Sequence, residues 1–183
     1  RLWLEIGFGA GEHLARQAER RPDVTHLGVE PYLNGVASLL ARVEERRLAN
    51  VRICVDDARL VLAALPDAGL ERIHVLFPDP WPKRRHHKRR IVNRRTVRHM
   101  ARTLVPGGQL RLASDDSGYV TWMLAAVSSE PRLSWPARRA ADWRERPADW
   151  PATRYEDKAR AAGRCCVFLT FTRVGAENAS ERP

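Results

Sequence analysis

Leu2-Trp3-Leu4-Glu5-Ile6-Gly7-Phe8-Gly9-Ala10-Gly11-Glu12 is the stretch that decides the fold. An apolar run of strand length ends in three alternating glycines, and a segment of helical periodicity follows at once over Glu12–Arg20. Glycine lets the backbone turn tightly and approach a ligand before the helix begins, so strand, glycine turn and helix together read as the start of a nucleotide-type site. Further short apolar runs at Thr25–Val29, Val51–Val55, Arg72–Phe77 and Gln109–Ser114 alternate with helical patterns at Asn34–Arg47, Arg59–Leu65, Val92–Leu104 and Tyr119–Ser128. That β-α-β-α alternation predicts an α/β fold, a mostly parallel sheet with helices on both faces and a ligand site at the carboxyl ends of the strands. After Pro131 the pattern gives way to a tryptophan- and arginine-rich stretch, a last strand over Cys166–Arg173, and a polar tail from Gly175 to Pro183. The tail reads as disordered.

The 183 residues suffice for one domain, expected over 1–174. The chain opens at Arg1 directly on a strand pattern, without an initiator methionine, so an N-terminal segment is expected ahead of it. No apolar run approaches the roughly 20 residues that span a bilayer, and no signal segment is present, which predicts a soluble cytoplasmic protein without a membrane partner. Cys54, Cys165 and Cys166 form no metal-type pair, and His86 and His87 have no acidic or thiol partner at ligand spacing. No metal is assigned. Trp135, Trp143 and Trp150 are expected to pack and are left out of the site. The formal charge of +10 directs the protein toward polyanions. Only three of its 32 cations are lysine, and scattered arginines merely solubilise; their clustering carries the argument.

The glycine turn narrows the cofactor. A dinucleotide fingerprint wants glycine or alanine where this chain has Glu12, and acids on both sides of the turn repel a pyrophosphate. An NAD-dependent dehydrogenase is disfavoured. S-adenosylmethionine carries a sulfonium and an ammonium and no phosphate, so Glu5 beside Gly7, Gly9 and Gly11 becomes an attraction. Glu30 ends the second strand, where a carboxylate can accept from ribose hydroxyls, and Asp57 after the third strand is placed for the adenine amino group or, equally, for capping the next helix.

Strand four leads into Phe77-Pro78-Asp79-Pro80-Trp81-Pro82-Lys83-Arg84-Arg85-His86-His87-Lys88-Arg89-Arg90. Prolines on both sides of Asp79 forbid helix and stiffen the loop. Behind it stand an indole and six cations in the eight residues from Lys83 to Arg90, a pairing of stacking and charge that suits bases and phosphates. A solvated loop or a localisation signal would not need the rigid acidic turn in front.

This block resembles the bacterial tRNA (guanine-N7-)-methyltransferases, whose motif reads Phe-Pro-Asp-Pro-Trp, a lysine, then His-x-Lys-Arg-Arg. The resemblance extends over nearly the whole chain, through the glycine loop with Glu5, Gly28-Val29-Glu30, Asp57-Ala58, Pro106-Gly107-Gly108, Ser114-Asp115 and Thr153-Arg154-Tyr155-Glu156. It implies a Rossmann-like class I methyltransferase: a seven-stranded, mostly parallel sheet with an antiparallel last strand. It also implies S-adenosylmethionine bound by Glu5, Gly7, Gly9, Gly11, Glu30, Asp57 and Asp79, with Asp79 also the active-site residue. Lys83, Asp115, Thr153, Arg154, Tyr155 and Glu156 would bind substrate, and Arg84, Arg85, Lys88, Arg89 and Arg90 would contact RNA phosphates. The target would be the variable-loop guanosine at tRNA position 46. Two departures are conservative: the family usually has threonine, aspartate and an aromatic where this chain has Ser114-Asp115-Asp116, and Thr-Lys-Phe-Glu where it has Thr153-Arg154-Tyr155-Glu156. Monomer and homodimer both remain open, as do a methyltransferase for another acceptor and an RNA-binding protein with an inactive pocket.

Overall fold

The computed structural model describes residues 1–175; the expected disordered tail lies outside them beyond Gly175. Strands β1 (Leu2–Ile6), β2 (Thr25–Val29), β3 (Val51–Cys54), β4 (Leu70–Leu76), β5 (Leu104–Ser114), β6 (Leu133–Ser134) and β7 (Val167–Arg173) form one sheet in the order β3-β2-β1-β4-β5-β7-β6. The pairs from β3 through to β5 are parallel, and β7 runs antiparallel to both β5 and β6. Helices α1 (Glu12–Arg20), α2 (Leu33–Glu45), α3 (Ala58–Ala64), α4 (Arg94–Thr103), α5 (Ser117–Ser128), α6 (Ala141–Arg144) and α7 (Arg154–Ala161) connect them, with a 3-10 helix over Arg84–Arg89.

The expected α/β alternation is present, with differences that have physical causes. The seven strands and the antiparallel last strand are as expected, β7 lying between β5 and the two-residue β6. β5 starts five residues earlier than expected, because Leu104 already pairs with Leu70 and the Pro106-Gly107-Gly108 segment is carried as an irregularity within the strand. Gly107 has a φ of 79°, which this turn-like chemistry tolerates.

The main core lies between the sheet and α3, α4 and α5, where Leu4, Ile73, Leu110, Met100, Tyr119 and Met123 are buried. On the other face Phe8, Leu14, Ala18 and Leu39 seal α1 and α2 against the strands. Trp150 is buried beside Phe168, while Trp135 and Trp143 pack on one another, with centroids 5.5 Å apart. No helix among the described residues is long and apolar enough to cross a membrane.

His26 and His74 are buried with an unpartnered Nε2 each. Burial, which disfavours the imidazolium, lowers His26 from its ordinary 6.5 to about 4 and holds His74 well below its usual value. Between pH 6.5 and 4 the unfolded chain therefore binds the proton that folded His26 refuses, so this stability is full above 6.5 and is lost as pH falls toward 4. The melting temperature is expected to drop across that window. His26→Gln should shrink the drop, and an unaltered pH profile in the variant would contradict the assignment.

Candidate active site

The strand order reverses between β1 and β4, and there a cleft of about 770 Å³ opens at the carboxyl ends of β1, β2, β3 and β4. Its floor is Gly7 and Gly9 of the glycine turn, in which Gly7, Gly9 and Gly11 have φ values of 70°, 56° and 75°. Glu30, buried at the end of β2, accepts from the Gly9 amide at 2.9 Å and from the Tyr32 amide at 3.1 Å, locking the turn to the start of α2. Each carboxylate oxygen has a further lone pair for a ligand hydroxyl. Gly35, in the first turn of α2, also lines the cleft, and a Cβ there would overlap the Gly9 carbonyl oxygen. The sequence reading missed Gly35, because a lone glycine inside a helical pattern shows no sign of the loop it faces.

Asp57 lines the cleft and also caps α3: its carboxylate accepts from the Arg59 amide at 2.9 Å and pairs with the Arg59 guanidinium at 2.6 Å. That side-chain hydrogen bond holds its carboxyl below the ordinary aspartate value. Asp57 thus caps α3 from a position on the cleft wall.

Asp79 is exposed at the lip of the cleft. On one side Phe77, at φ 50°, donates its amide to the Ala113 carbonyl at 2.8 Å; on the other Trp81 has φ 45°. Left-handed backbone at two bulky residues is strained, and it persists where the surroundings enforce it. Here the enforcement comes from Arg90, whose Nε donates to the Pro80 carbonyl at 2.8 Å. Its guanidinium is buried over the rings of Tyr119 and Trp122, at 5.0 and 4.8 Å. Burial raises the Tyr119 phenol to about 12, and its oxygen accepts from the Val92 amide at 3.2 Å.

Arg90, expected to contact RNA phosphate, instead faces inward and fixes the loop. Arg84, Arg85, Lys88 and Arg89 are exposed on the 3-10 helix, with Arg89 stacked 4.8 Å over Trp81 at the cleft, and Lys83 is exposed at the start of that helix.

Glu5 and Gly11, both expected at the cofactor, lie off the cleft lining. The Glu5 side chain leaves β1 on the face opposite Leu4 and Ile6, away from the cleft, and is buried with its carboxylate 2.6 Å from His13 Nδ1. It supports the turn from behind and does not line the cleft. Gly11 does not line it either; a Cβ there would lie 2.7 Å from Leu39, so its role is close packing of α1 on α2.

Glu5, His13 and His74 bring three ligand-type atoms within 4.8 Å of one another. Glu5 is already hydrogen-bonded to His13, and the positive charges of Arg111 and Arg72 act on His74, so the group reads as a packed polar core and carries no metal assignment.

Of the four residues from 153 to 156, Arg154 and Tyr155 reach the cleft. The Tyr155 ring lies nearly parallel to Phe77, with centroids 6.5 Å apart, and its hydroxyl hangs over Gly9. Thr153 caps α7 by accepting from the Glu156 amide at 3.2 Å, and buried Glu156 pairs with Arg146 and Arg160 at 3.0 and 2.9 Å. These two brace the start of α7 outside the cleft lining and hold the pair between them. Asp115 pairs with Arg164 at 2.6 Å and lies outside the cleft lining.

A family model described as a putative methyltransferase matches residues 1–169. A tRNA (guanine-N(7)-)-methyltransferase of Rhodospirillum rubrum is 52% identical over 172 residues, which span 94% of this chain and 68% of that protein. The chain belongs to this methyltransferase family. A second member, from a Chelativorans species, is 50% identical over 93% of this chain and 74% of its own length. Among solved structures, TrmN from Thermus thermophilus superimposes with a TM-score of 0.67 at 13% identity, covering 94% of this chain and 44% of that one, which is a likeness of fold. In this methyltransferase the cleft lining carries Glu30, Asp57 and Asp79 together with Arg59, Arg89 and Arg154. Charges of both signs suit a zwitterionic sulfonium cofactor better than a pyrophosphate.

Proposed function

We propose that this methyltransferase acts on tRNA, methylating N7 of a guanosine, with the variable-loop position 46 as its target. The observation that carries the reading is the loop geometry: an acidic side chain held between two prolines at the lip of the cleft, with exposed cations directly behind it. S-adenosylmethionine, when bound, supplies an electrophilic methyl group on a sulfonium. The residues that would hold it are Glu30, Asp57 and the backbone of Gly7 and Gly9, with Gly35 leaving room for the turn to sit against α2.

Guanine N7 is a lone-pair nucleophile without a proton, so no residue here has to act as a general base. Asp79 accepts hydrogen bonds from the Watson–Crick edge of the guanine and stabilises the positive charge that develops on the ring. Phe77 and Tyr155 offer ring faces beside it, and such faces attract a base that is becoming cationic. In a regular RNA helix N7 lies in a groove too deep and narrow for side chains, so the acceptor is an accessible or flipped guanosine of a folded RNA.

The test is transfer of labelled methyl from S-adenosylmethionine to bulk tRNA, followed by chain cleavage at 7-methylguanosine and mapping of the cut. Label at position 46 is expected. Label on another base or another RNA would replace the proposed substrate, and no transfer despite cofactor binding would leave an RNA-binding protein.

A further inference from the structure

We infer that the RNA-docking surface does not end with the basic loop but continues along the outward face of α4, where Arg94, Arg95 and Arg98 grip the phosphate backbone of the tRNA body. No Asp or Glu occurs between Asp79 and Asp115. Most other parts of the described surface pair arginine with carboxylate, as at Arg21–Asp23, Arg59–Asp57, Arg132–Glu130 and Arg164–Asp115. Among the described residues, none of the cations from Lys83 to Arg98 forms a salt bridge.

The first turn of α4 makes the absence of acids costly. A helix amino terminus favours acidic side chains, yet this one has none and carries two arginines. Arg94 and Arg98 are four residues apart, a spacing at which like charges repel along a helix. The crowding is also felt at His99, which burial and then Arg102, Arg95 and Arg98 push below its ordinary value. Arg94, Arg95 and Arg98 are exposed, while Thr96, Val97, Met100 and Ala101 face the core, so the three guanidinium groups share one outward side. Local rules broken without compensation inside the fold mark a surface made for a partner.

The partner's chemistry follows from position. α4 leaves the loop through Asn93, whose side chain caps the helix and donates to the Arg90 carbonyl at 2.9 Å. Its amino terminus thus lies at the same end of the sheet as the cleft, and the helix carries the positive surface away from Asp79. A polyanion that delivers one base to Asp79 while its backbone runs on past Lys83–Arg89 meets these arginines next, which fits RNA better than a membrane plane.

This inference rests on tRNA being the substrate. It is tested with R94Q/R95Q/R98Q, by the salt dependence of tRNA binding and the KM for tRNA, beside a control R20Q/R47Q/R52Q of equal charge change. The control cations close α1, follow α2 and open β3, at the far end of the sheet from the cleft. The α4 variant should flatten the slope of log K against log salt by about two to three, at roughly 0.7–0.9 per phosphate lost, and raise KM by about tenfold or more. Its melting temperature should be at or slightly above the parent's, since the unfavourable charges at the helix start are gone, its S-adenosylmethionine affinity should match the parent, and the control should leave the slope nearly unchanged. Equal slopes in parent and α4 variant, equal losses in both variants, or loss of binding to phosphatidylserine vesicles without loss of tRNA binding would each overturn it. Failure of the parent to bind or methylate tRNA would instead remove the underlying substrate reading.

Discussion

Asp79→Asn is expected to lower the rate of methyl transfer at saturating substrate by about 10²–10³-fold, while cofactor affinity stays within about threefold of the parent. The magnitude is that of removing one preorganised group from a site of developing charge. An amide keeps the size of the side chain and the rigid loop, but turns half of the acceptor into a donor and abolishes the negative charge. If the carboxylate orients the guanine edge and faces the nascent cation, both contributions are lost at once. The residues proposed to hold the cofactor, Glu30, Asp57 and the glycine turn, are untouched. Single-turnover kinetics and calorimetric titration with S-adenosylmethionine separate the two effects. Near-normal turnover would remove Asp79 from the chemistry, and an equal collapse of turnover and cofactor affinity would make it a cofactor ligand first.

The second large effect is expected at Gly35→Ala. Alanine is ordinarily the better helix residue by about 1 kcal/mol, so propensity alone predicts a gain. The added Cβ, however, overlaps the Gly9 carbonyl oxygen and approaches Glu30 Cγ to 3.3 Å. Neither neighbour yields easily: the Gly9 amide is held by Glu30, and Glu30 is held in turn by the Tyr32 amide. The strain of overpacking, about 1–3 kcal/mol, falls on the glycine turn, and cofactor affinity should drop roughly 10- to 100-fold. Titration of the variant with S-adenosylmethionine checks this, and unchanged affinity would mean that the turn does not form the cofactor floor.

The fold was legible because its alternation is strong and the turn after β1 is chemically unmistakable. Boundaries moved where tertiary pairing overrode local signals, as at Leu104, which joins β5 across a Pro-Gly-Gly segment that reads as a turn. Helix α7 is too short to show a clear helical period, although its start is marked: Thr153 and Glu156 have the threonine-x-x-glutamate spacing of a capped helix. Site residues were legible by type and less so by direction. Glu5 was placed on the correct turn, but alternation along β1 sends its side chain behind that turn to His13, and pattern alone does not say which face holds the ligand. Gly35 was silent because its meaning lies entirely in what packs against it.

The burial of Arg90 sets limits on how this protein can be altered. Six cations stand in eight consecutive positions, yet they are not equivalent units of charge. The outward ones form a dial: on the proposed tRNA reading, exchanging Arg84, Arg85 or Lys88 one at a time is expected to tune the grip on RNA in small steps and to leave the backbone alone. Position 90 is a hinge pin. Lysine there would keep the charge and lose the planar fork that spans Pro80 and two aromatic rings. A redesigned enzyme with weaker product retention can be sought among the outer cations, while a change at 90 obliges the designer to rebuild the aromatic seat beneath the loop as well.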